Sequence, residues 1–283
     1  MWNIASKAAI ALIAICVALL SAQALAKKPP VLKPNRIEIS YVVPPNPAHH
    51  QVYELVKERR VLERFRAYLS PLRLPTTLIL KFDGCDGESN AWYEESDHTV
   101  TVCYEYLDDV LKNAPETTTA AGVTRQDAIV GPAIEVFLHE VGHAIFNLLK
   151  VPIFGREEDA ADQLADYLIL HLDDDIARQS VVGIGYMYAH EMQSQTPGLQ
   201  QFANVHGLSA QRFYNLLCMA YGKDPKLFGL VVEKGYLPEA RAETCEDEYK
   251  QVDYAFKKLI HPYIDQAVVK KVQPKKLMRP MEK

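Results

Sequence analysis

The sequence lacks several features that define whole classes of protein. Its longest apolar run, residues 8–20, has thirteen residues, whereas a membrane-spanning helix needs about 20. It carries no excess of basic residues, because the formal charge is −5, and this argues against nucleic acid as a partner. It has no internal repeat and no low-complexity linker, and because it has no CxxC pair we do not expect a cysteine zinc site. With 283 residues and 48% hydrophobic content, the chain can bury one large core or two subdomains.

The first 26 residues have the three parts of a cleaved signal peptide. A short leader with Lys7 precedes the apolar run, and small residues end it at Ala24-Leu25-Ala26. Cys16 follows Ile15 instead of a small residue, which argues against a lipid anchor. We therefore expect export to the periplasm or the extracellular space, no stable membrane anchor after cleavage, and a formal charge of −6 once Lys7 is removed from a chain of −5.

Cleavage would leave four cysteines in an oxidising compartment, where disulfides persist. They are Cys85, Cys103, Cys218 and Cys245. Four cysteines allow three pairings. Their order along the chain favours Cys85 with Cys103 and Cys218 with Cys245.

Alternating apolar residues predict strands in the N-terminal part. Apolar residues at helical spacing predict one helix among these strands and mostly helices after them. The predicted strands are residues 36–43, 76–82, 90–93 and 98–104, and the last two should form a hairpin. Helices are predicted over residues 50–69, 156–172, 174–195, 209–221 and 243–267. The fold class is therefore α+β, with a small N-terminal mixed sheet packed on a mostly helical C-terminal part. We expect one domain over residues 27–269 and a basic, disordered tail over residues 270–283.

A further long apolar helix should begin near Thr124. Thr124 is a suitable N-cap, with Asp127 three residues later as in a capping box. Pro132 is expected to kink or restart this helix.

The same helix carries the sequence "HEVGH". His139 and His143 are four residues apart, so they stand on one helix face and can both direct a ring nitrogen at one ion. Glu140 points about 100° away around the axis and can reach a metal-bound water without binding the metal. A metal-free alternative has both histidines in the core, bonded only to protein groups.

A catalytic zinc site needs a third protein ligand and one open position. Phe146 and Leu149 stand where a metzincin would have Gly and His, so the third ligand must come from elsewhere. In "GREEDAADQLAD", Glu158 is our candidate ligand, with Asp162 one turn later accepting the spare N–H of a ligand histidine. Two alternatives stay open: Asp162 is the ligand with Asp166 behind it, or the acidic residues simply favour a helix start.

HExxH followed by a separate helix with Glu-x-x-x-Asp resembles the gluzincin metallopeptidases, the thermolysin-like group. The wider chain is similar to a bacterial family of exported metallopeptidases through "CYEYL", "FLHEVGHA", "GREEDAADQLAD", "QRFYNLLC" and "LPEARAETCEDEY". The resemblance implies a zincin-like fold, one zinc ion held by His139, His143 and Glu158, Glu140 as catalytic base, and a peptide or protein substrate.

A second likeness lies in "NAWY". Thermolysin-like enzymes have Asn-Ala-aromatic-aromatic on the edge strand that pairs with substrate, and Asn90, Ala91 and Trp92 match that pattern. An extended peptide could add to such an edge as another strand. The alternative is an ordinary hairpin strand with a core Trp.

Gluzincins also steady the oxyanion with a downstream His or Tyr. The resemblance makes His206 the first candidate for this catalytic role, with Tyr186 and Tyr188 behind it. The alternative is that His206 is structural, as a lone histidine more often is, and Arg212 could simply pair with a carboxylate.

The expected activity is zinc-dependent hydrolysis of peptide bonds by an exported gluzincin-like metallopeptidase. The alternative is a non-catalytic exported zinc-binding or scaffold protein that retains the zincin fold. A filled fourth zinc position or a covered edge strand would favour that alternative.

Overall fold

A computed structural model describes residues 36–194 and 198–272 of the chain. The predicted signal peptide, residues 1–26, lies outside them, as do residues 273–283 of the predicted tail. The last helix, Gln266–Val272, takes in the first three residues of that tail segment.

Four strands form one mixed sheet. They are β1 (Ile37–Tyr41), β2 (Leu78–Asp83), β3 (Ala91–Glu94) and β4 (Thr99–Cys103), in the order β1-β2-β4-β3. β1 runs parallel to β2 and β2 runs parallel to β4, whereas β3 pairs with β4 in antiparallel register. The predicted hairpin of the last two strands is confirmed. Every residue of β4 is buried, as expected of an inner strand covered on both faces.

Helices make up most of the remaining described chain, which confirms the α+β class. In chain order they are α1 (His50–Glu58), α2 (Val61–Leu69), α3 (Tyr104–Asn113), α4 (Arg125–Leu149), α5 (Glu157–Leu170), α6 (Asp174–Ser194), α7 (Leu199–Phe202), α8 (Ser209–Lys223), α9 (Pro225–Phe228), α10 (Leu230–Glu233), α11 (Glu239–Ala242), α12 (Cys245–Leu259) and α13 (Gln266–Val272). Short 3₁₀ turns lie at Pro47–His49 and His261–Tyr263.

Two predicted helices are broken in the structure. The segment 50–69 forms α1 and α2 because Arg60 takes a left-handed conformation, with φ of 52°, that no α-helix can continue. The segment 243–267 forms α12, a 3₁₀ turn and the start of α13. Pro262 within that turn cannot donate a backbone hydrogen bond, so the helix ends before it.

The long helix α4 begins as predicted and then runs without interruption. Thr124 and Asp127 form a capping box, which satisfies two otherwise unpaired N–H groups. Pro132 lies inside the helix and does not restart it. α4 is long and apolar enough to cross a membrane by length and composition alone, but 78% of its apolar window is buried inside the protein, as in the core helix of a globular domain.

Both predicted disulfides are confirmed. Cys85 is bonded to Cys103, which joins the loop before β3 to the end of β4. Cys218 is bonded to Cys245, which joins α8 to the first residue of α12. Both bonds connect segments distant in sequence and restrict the unfolded chain.

Candidate metal centre and its cleft

α4 and α5 cross closely enough to bring their polar side chains together. A Cβ at Gly142 would lie 3.3 Å from the Cα of Ala161, so the glycine of "HEVGH" removes the obstacle to this approach. As a result His139 and His143, from the middle of α4, face Glu158 in the first turn of α5.

Three ligand atoms converge on one point. Nε2 of His139 lies 3.2 Å from Nε2 of His143 and 3.1 Å from Oε2 of Glu158. Nε2 of His143 lies 3.3 Å from the same oxygen. Ligand atoms held tetrahedrally about 2.0–2.1 Å from one zinc ion stand about 3.3 Å apart, so the separations of these three atoms match those of three ligands of one zinc ion.

Each histidine has a carboxylate on its other ring nitrogen. Nδ1 of His139 lies 2.7 Å from Oδ1 of Asp162, and Nδ1 of His143 lies 2.8 Å from Oε1 of Glu157. A carboxylate at Nδ1 fixes the tautomer that leaves Nε2 free to bind a metal. Asp162 thus contacts the ring nitrogen that the sequence analysis expected it to contact, and its orienting role stays a prediction. Glu157 was not predicted, because only the helix crossing shows that it reaches His143.

Behind His139 lies a buried network around Arg212. Its Nε lies 2.7 Å from Oδ2 of Asp162, and its Nη2 lies 2.6 Å from Oδ1 of Asp162 and 3.1 Å from Oε1 of Glu135. Tyr188 donates to the same Glu135 oxygen at 3.1 Å. Arg212 therefore pairs with carboxylates, which is the role considered for it in the sequence analysis. Glu135 was missed, although it stands four residues before His139 on the same helix face.

These contacts set the charges of the metal-free site. Burial opposes protonation of His139, but hydrogen bonds to Asp162 and Glu158 outweigh it and raise the pKa of His139 to about 10. Hydrogen bonds to His139, His143 and His206 hold the pKa of Glu158 far below its usual range. Burial raises the pKa of the Glu140 carboxyl. A cation at this point would replace the histidine proton and would face an ionised Glu158.

Two other clusters of possible ligands are less suitable. Glu135, His139 and Asp162 also lie close together, but Arg212 already neutralises both of these carboxylates. Cys85, Cys103 and Glu105 form the second cluster, but the sulfur atoms of the two cysteines are bonded to each other in the disulfide. Of the clusters in the described residues, the one around His139 and Glu158 is therefore the best metal site.

His206 also reaches this site. It lies in the loop between α7 and α8, with a side chain 44% exposed, and its Nε2 is 2.9 Å from Oε2 of Glu158. The other candidates lie elsewhere: Tyr186 donates to the carbonyl of Asn113, and Tyr188 is committed to Glu135. His206 is the one oxyanion candidate of the three that faces Glu158.

The metal centre opens into a cleft of about 410 Å³, with β3 along its rim. Asn90, Ala91 and Trp92 line this cleft together with His139 and Glu140. The predicted segment therefore borders the candidate site. Trp92 is 39% exposed, so the alternative of a core Trp is wrong.

β3 is the outer strand of the sheet, and none of the strands in the described residues pairs with its other side. The Cys103 amide donates to the carbonyl of Asn90, so in the antiparallel register the main-chain groups of Ala91 and Tyr93 point away from β4. The side chain of Asn90 accepts a hydrogen bond from the Ala91 amide at 2.9 Å. The Ala91 carbonyl and the Tyr93 main chain lie on the side where an added strand would pair.

Residues 41–260, more than three quarters of the chain, match the model of the family DUF4344, whose description is "Putative metallopeptidase". No curated protein matches the chain, and no solved structure does.

Proposed function

We propose, on the premise that this chain belongs to the DUF4344 family of metallopeptidases, that it is an exported, zinc-dependent peptidase of the gluzincin type. Membership of a metallopeptidase family implies a metal ion. The choice of zinc, the hydrolysis of peptide bonds and the roles of single residues are the content of the proposal. Two disulfides within one chain agree with export to an oxidising compartment.

One observation carries the proposal: three ligand atoms from two helices stand at mutual distances of 3.1, 3.2 and 3.3 Å beside the cleft. His139, His143 and Glu158 would hold the ion. The set of two histidines and one glutamate is typical of catalytic zinc sites that keep a position open. These distances support Glu158 as the ligand over Asp162, which faces the opposite nitrogen of His139.

When bound, zinc supplies Lewis acidity, which polarises a carbonyl oxygen and lowers the pKa of water to about 7. Glu140 lies beside the ligands and lines the cleft. Its carboxylate would accept a proton from the attacking water and donate it to the nitrogen of the leaving amine as the C–N bond breaks.

The substrate would lie along β3 as an added strand, with its main chain paired to the outer side of Ala91 and Tyr93. His206 would donate a hydrogen bond to the oxyanion that forms at the scissile carbonyl.

The proposal is tested by metal analysis combined with a ligand series. Purified protein should hold one zinc ion, and Glu158→Gln should lose it. Glu157→Gln should retain it with affinity about 10-fold to 100-fold lower, because Glu157 only orients His143. Wild-type protein should cleave members of a broad peptide library, stop when a chelator removes the metal, and recover when zinc is restored. Protein that holds no stoichiometric metal after zinc reconstitution would contradict the proposal.

The distance of 2.9 Å between His206 and Glu158 favours a second candidate function, a closed zinc site without turnover. In that case His206 would be the fourth ligand, and four protein ligands are the mark of a structural site. X-ray absorption of the zinc-loaded protein separates the two. His206→Ala should leave the number of bound imidazoles unchanged in the peptidase and reduce it by one in the closed site.

A further inference from the structure

A hydrogen bond joins the edge strand β3 to the helix that carries both candidate histidine ligands. The hydroxyl of Tyr93 donates to Oδ1 of Asn147 at 3.2 Å. Tyr93 is the third residue of β3 and lines the cleft. Asn147 follows His143 by four residues in α4, so these two side chains stand one turn apart on the same helix face. The bond therefore links the proposed peptide-binding edge to the helix face that points to the proposed metal position.

The hydroxyl of Tyr93 is held from two directions and keeps its proton. Burial is the largest cause of a raised pKa, and nearby carboxylates of the hairpin add to it, so that together they raise the pKa of Tyr93 to about 12. The phenol is therefore a donor near neutral pH. Nδ1 of His98 lies 3.2 Å from the same oxygen and can donate to it while the hydroxyl donates to Asn147.

The other bonds of β3 hold it within the sheet. β3 pairs with β4 over Ala91–Glu94, and the disulfide of Cys85 with Cys103 ties the loop before β3 to the end of β4. Such pairing fixes the spacing of two strands, but neighbouring strands still tolerate a wide range of twist. The contact with α4 therefore decides where β3 stands relative to the proposed metal position.

This position matters because a peptide added to β3 would take its place from the strand. The main chain of the peptide would lie about 4.7–4.9 Å from β3, whereas the metal would be held on α4 by His139 and His143. The scissile carbonyl can reach the metal only if strand and helix keep one separation. A displacement of about 1 Å at a reacting group can lower a rate by about 100-fold.

We propose that Tyr93 is a positioning residue, which through its hydrogen bond to Asn147 sets the distance between a peptide on β3 and a metal on α4. The inference rests on the proposed function, because it concerns how the same cleft aligns its substrate. The main chain of Tyr93 pairs with the peptide, and its hydroxyl aligns the strand. Loss of the hydroxyl alone leaves the peptide bound but misplaced.

Steady-state kinetics of the zinc-loaded protein test this inference. Tyr93→Phe keeps the ring and removes the donor, and Asn147→Ala removes the acceptor. Each should lower kcat by about tenfold or more and change KM by less than about threefold, with zinc content and unfolding temperature as in wild type. Asn147→Asp keeps an oxygen acceptor and should retain most of kcat. The double variant Tyr93→Phe with Asn147→Ala should be no slower than the single variants, because all three lose the same bond.

The matched control is Tyr236→Phe. It removes the hydroxyl of a tyrosine that is exposed and lies outside the lining of the cleft, so it should behave as wild type in every one of these measurements.

A second measurement reports position without turnover. Cobalt(II), which accepts the same kinds of ligand, replaces zinc in the Glu140→Gln variant, and its visible absorption changes when a carbonyl oxygen approaches the ion. The probe is the member of the peptide library that binds most tightly by calorimetry. Adding Tyr93→Phe should at least about halve the change in absorption at saturation, because the carbonyl is displaced from the ion, while Kd stays similar.

The outcomes separate this inference from the peptidase proposal. Wild-type kcat and an unchanged cobalt signal in Tyr93→Phe would overturn the positioning role alone, and so would loss of zinc or a lower unfolding temperature that accounts for the lost activity. A cobalt signal that depends on Tyr93 in a protein that cleaves no peptide would sustain the positioning role and overturn the peptidase proposal. Absence of any peptide binding would overturn both.

Discussion

Nδ1 of His139 lies 2.7 Å from Oδ1 of Asp162, on the side of the ring opposite the nitrogen that faces Glu158. Asp162 is itself fixed by Arg212 through both carboxylate oxygens. A carboxylate held by Arg212 thus contacts Nδ1 of His139, while Nε2 of the same ring points to the proposed metal position. This geometry supports the proposed roles, orientation of a ligand histidine for Asp162 and metal binding for Glu158.

The first prediction concerns Asp162→Asn. The variant keeps the size of the side chain but loses its charge, so zinc affinity should fall by about 10-fold to 100-fold and binding should persist. Competition against a chromophoric chelator measures the affinity. Asp159→Asn, which changes a half-exposed aspartate of the same helix that pairs with Arg156, is the control and should bind as wild type. Complete loss of zinc from Asp162→Asn would instead make Asp162 a ligand.

The second prediction concerns the stability of the network behind the site. Arg212→Gln removes the guanidinium that pairs with both Glu135 and Asp162 in a largely buried place, so the free energy of unfolding should fall by about 3–5 kcal/mol. Urea titration of the metal-free protein measures the change. Arg178→Gln removes an exposed arginine that pairs with Asp175 and should cost less than about 1 kcal/mol. Equal effects of the two substitutions would show that the network has no structural role.

The third prediction concerns the loop that leads into β3. The buried Glu105 carboxylate accepts hydrogen bonds from the amides of Cys85 and Gly87, each at 3.0 Å. Burial alone would raise the pKa of Glu105, but backbone hydrogen bonds outweigh burial and lower it. At pH 7, Glu105→Gln should therefore destabilise the fold by about 1.5–3 kcal/mol.

The hydrogen bonds of Glu105 also make the free energy of unfolding depend on pH, and the lowered pKa fixes the direction of this dependence. A carboxyl whose pKa is lowered by folding stabilises the protein above its unfolded pKa, near 4.5 here, and loses that contribution as pH falls through the folded value. The stability difference between wild type and Glu105→Gln should accordingly be constant near neutral pH and shrink in acid. Glu88→Gln, an exposed glutamate of the same loop, should show no such trend. A difference that grows in acid would contradict this account.

Local patterns were enough to predict the elements that carry the site. The helical spacing of His139 and His143, the capping box at Thr124 and the hairpin before Cys103 all depend on residues close in sequence, and the structure has each of them. The break at Arg60 could not be predicted, because a left-handed arginine has no sequence signal comparable to glycine.

Contacts between distant segments could be predicted only in part. The pairing of Cys218 with Cys245 followed from order along the chain. By contrast, the contacts of Glu157 with His143 and of Arg212 with Glu135 depend on how α4, α5 and α8 cross. Helix crossing is set by packing of whole faces, so no single motif in the sequence indicates these two pairs.

The fourth prediction uses Trp92 as a reporter of the edge strand. The chain has two tryptophans, and removal of residues 1–26 takes away Trp2. Trp92 lines the cleft and is 39% exposed, so a peptide that pairs with β3 should bury it and shift its emission to shorter wavelength in a saturable manner. Trp92→Phe should abolish the signal without abolishing binding. Peptide binding detected by calorimetry with unchanged Trp92 emission would place the peptide elsewhere.

The most direct test of the central claim is the activity of Glu140→Gln. This variant keeps the size of the side chain and removes the carboxylate that accepts the proton, so zinc content and unfolding temperature should match those of wild type. Hydrolysis of the peptide library by the zinc-loaded variant should be lower by roughly two to four orders of magnitude. Equal cleavage by wild type and Glu140→Gln would contradict the peptidase account and would favour a zinc-binding scaffold.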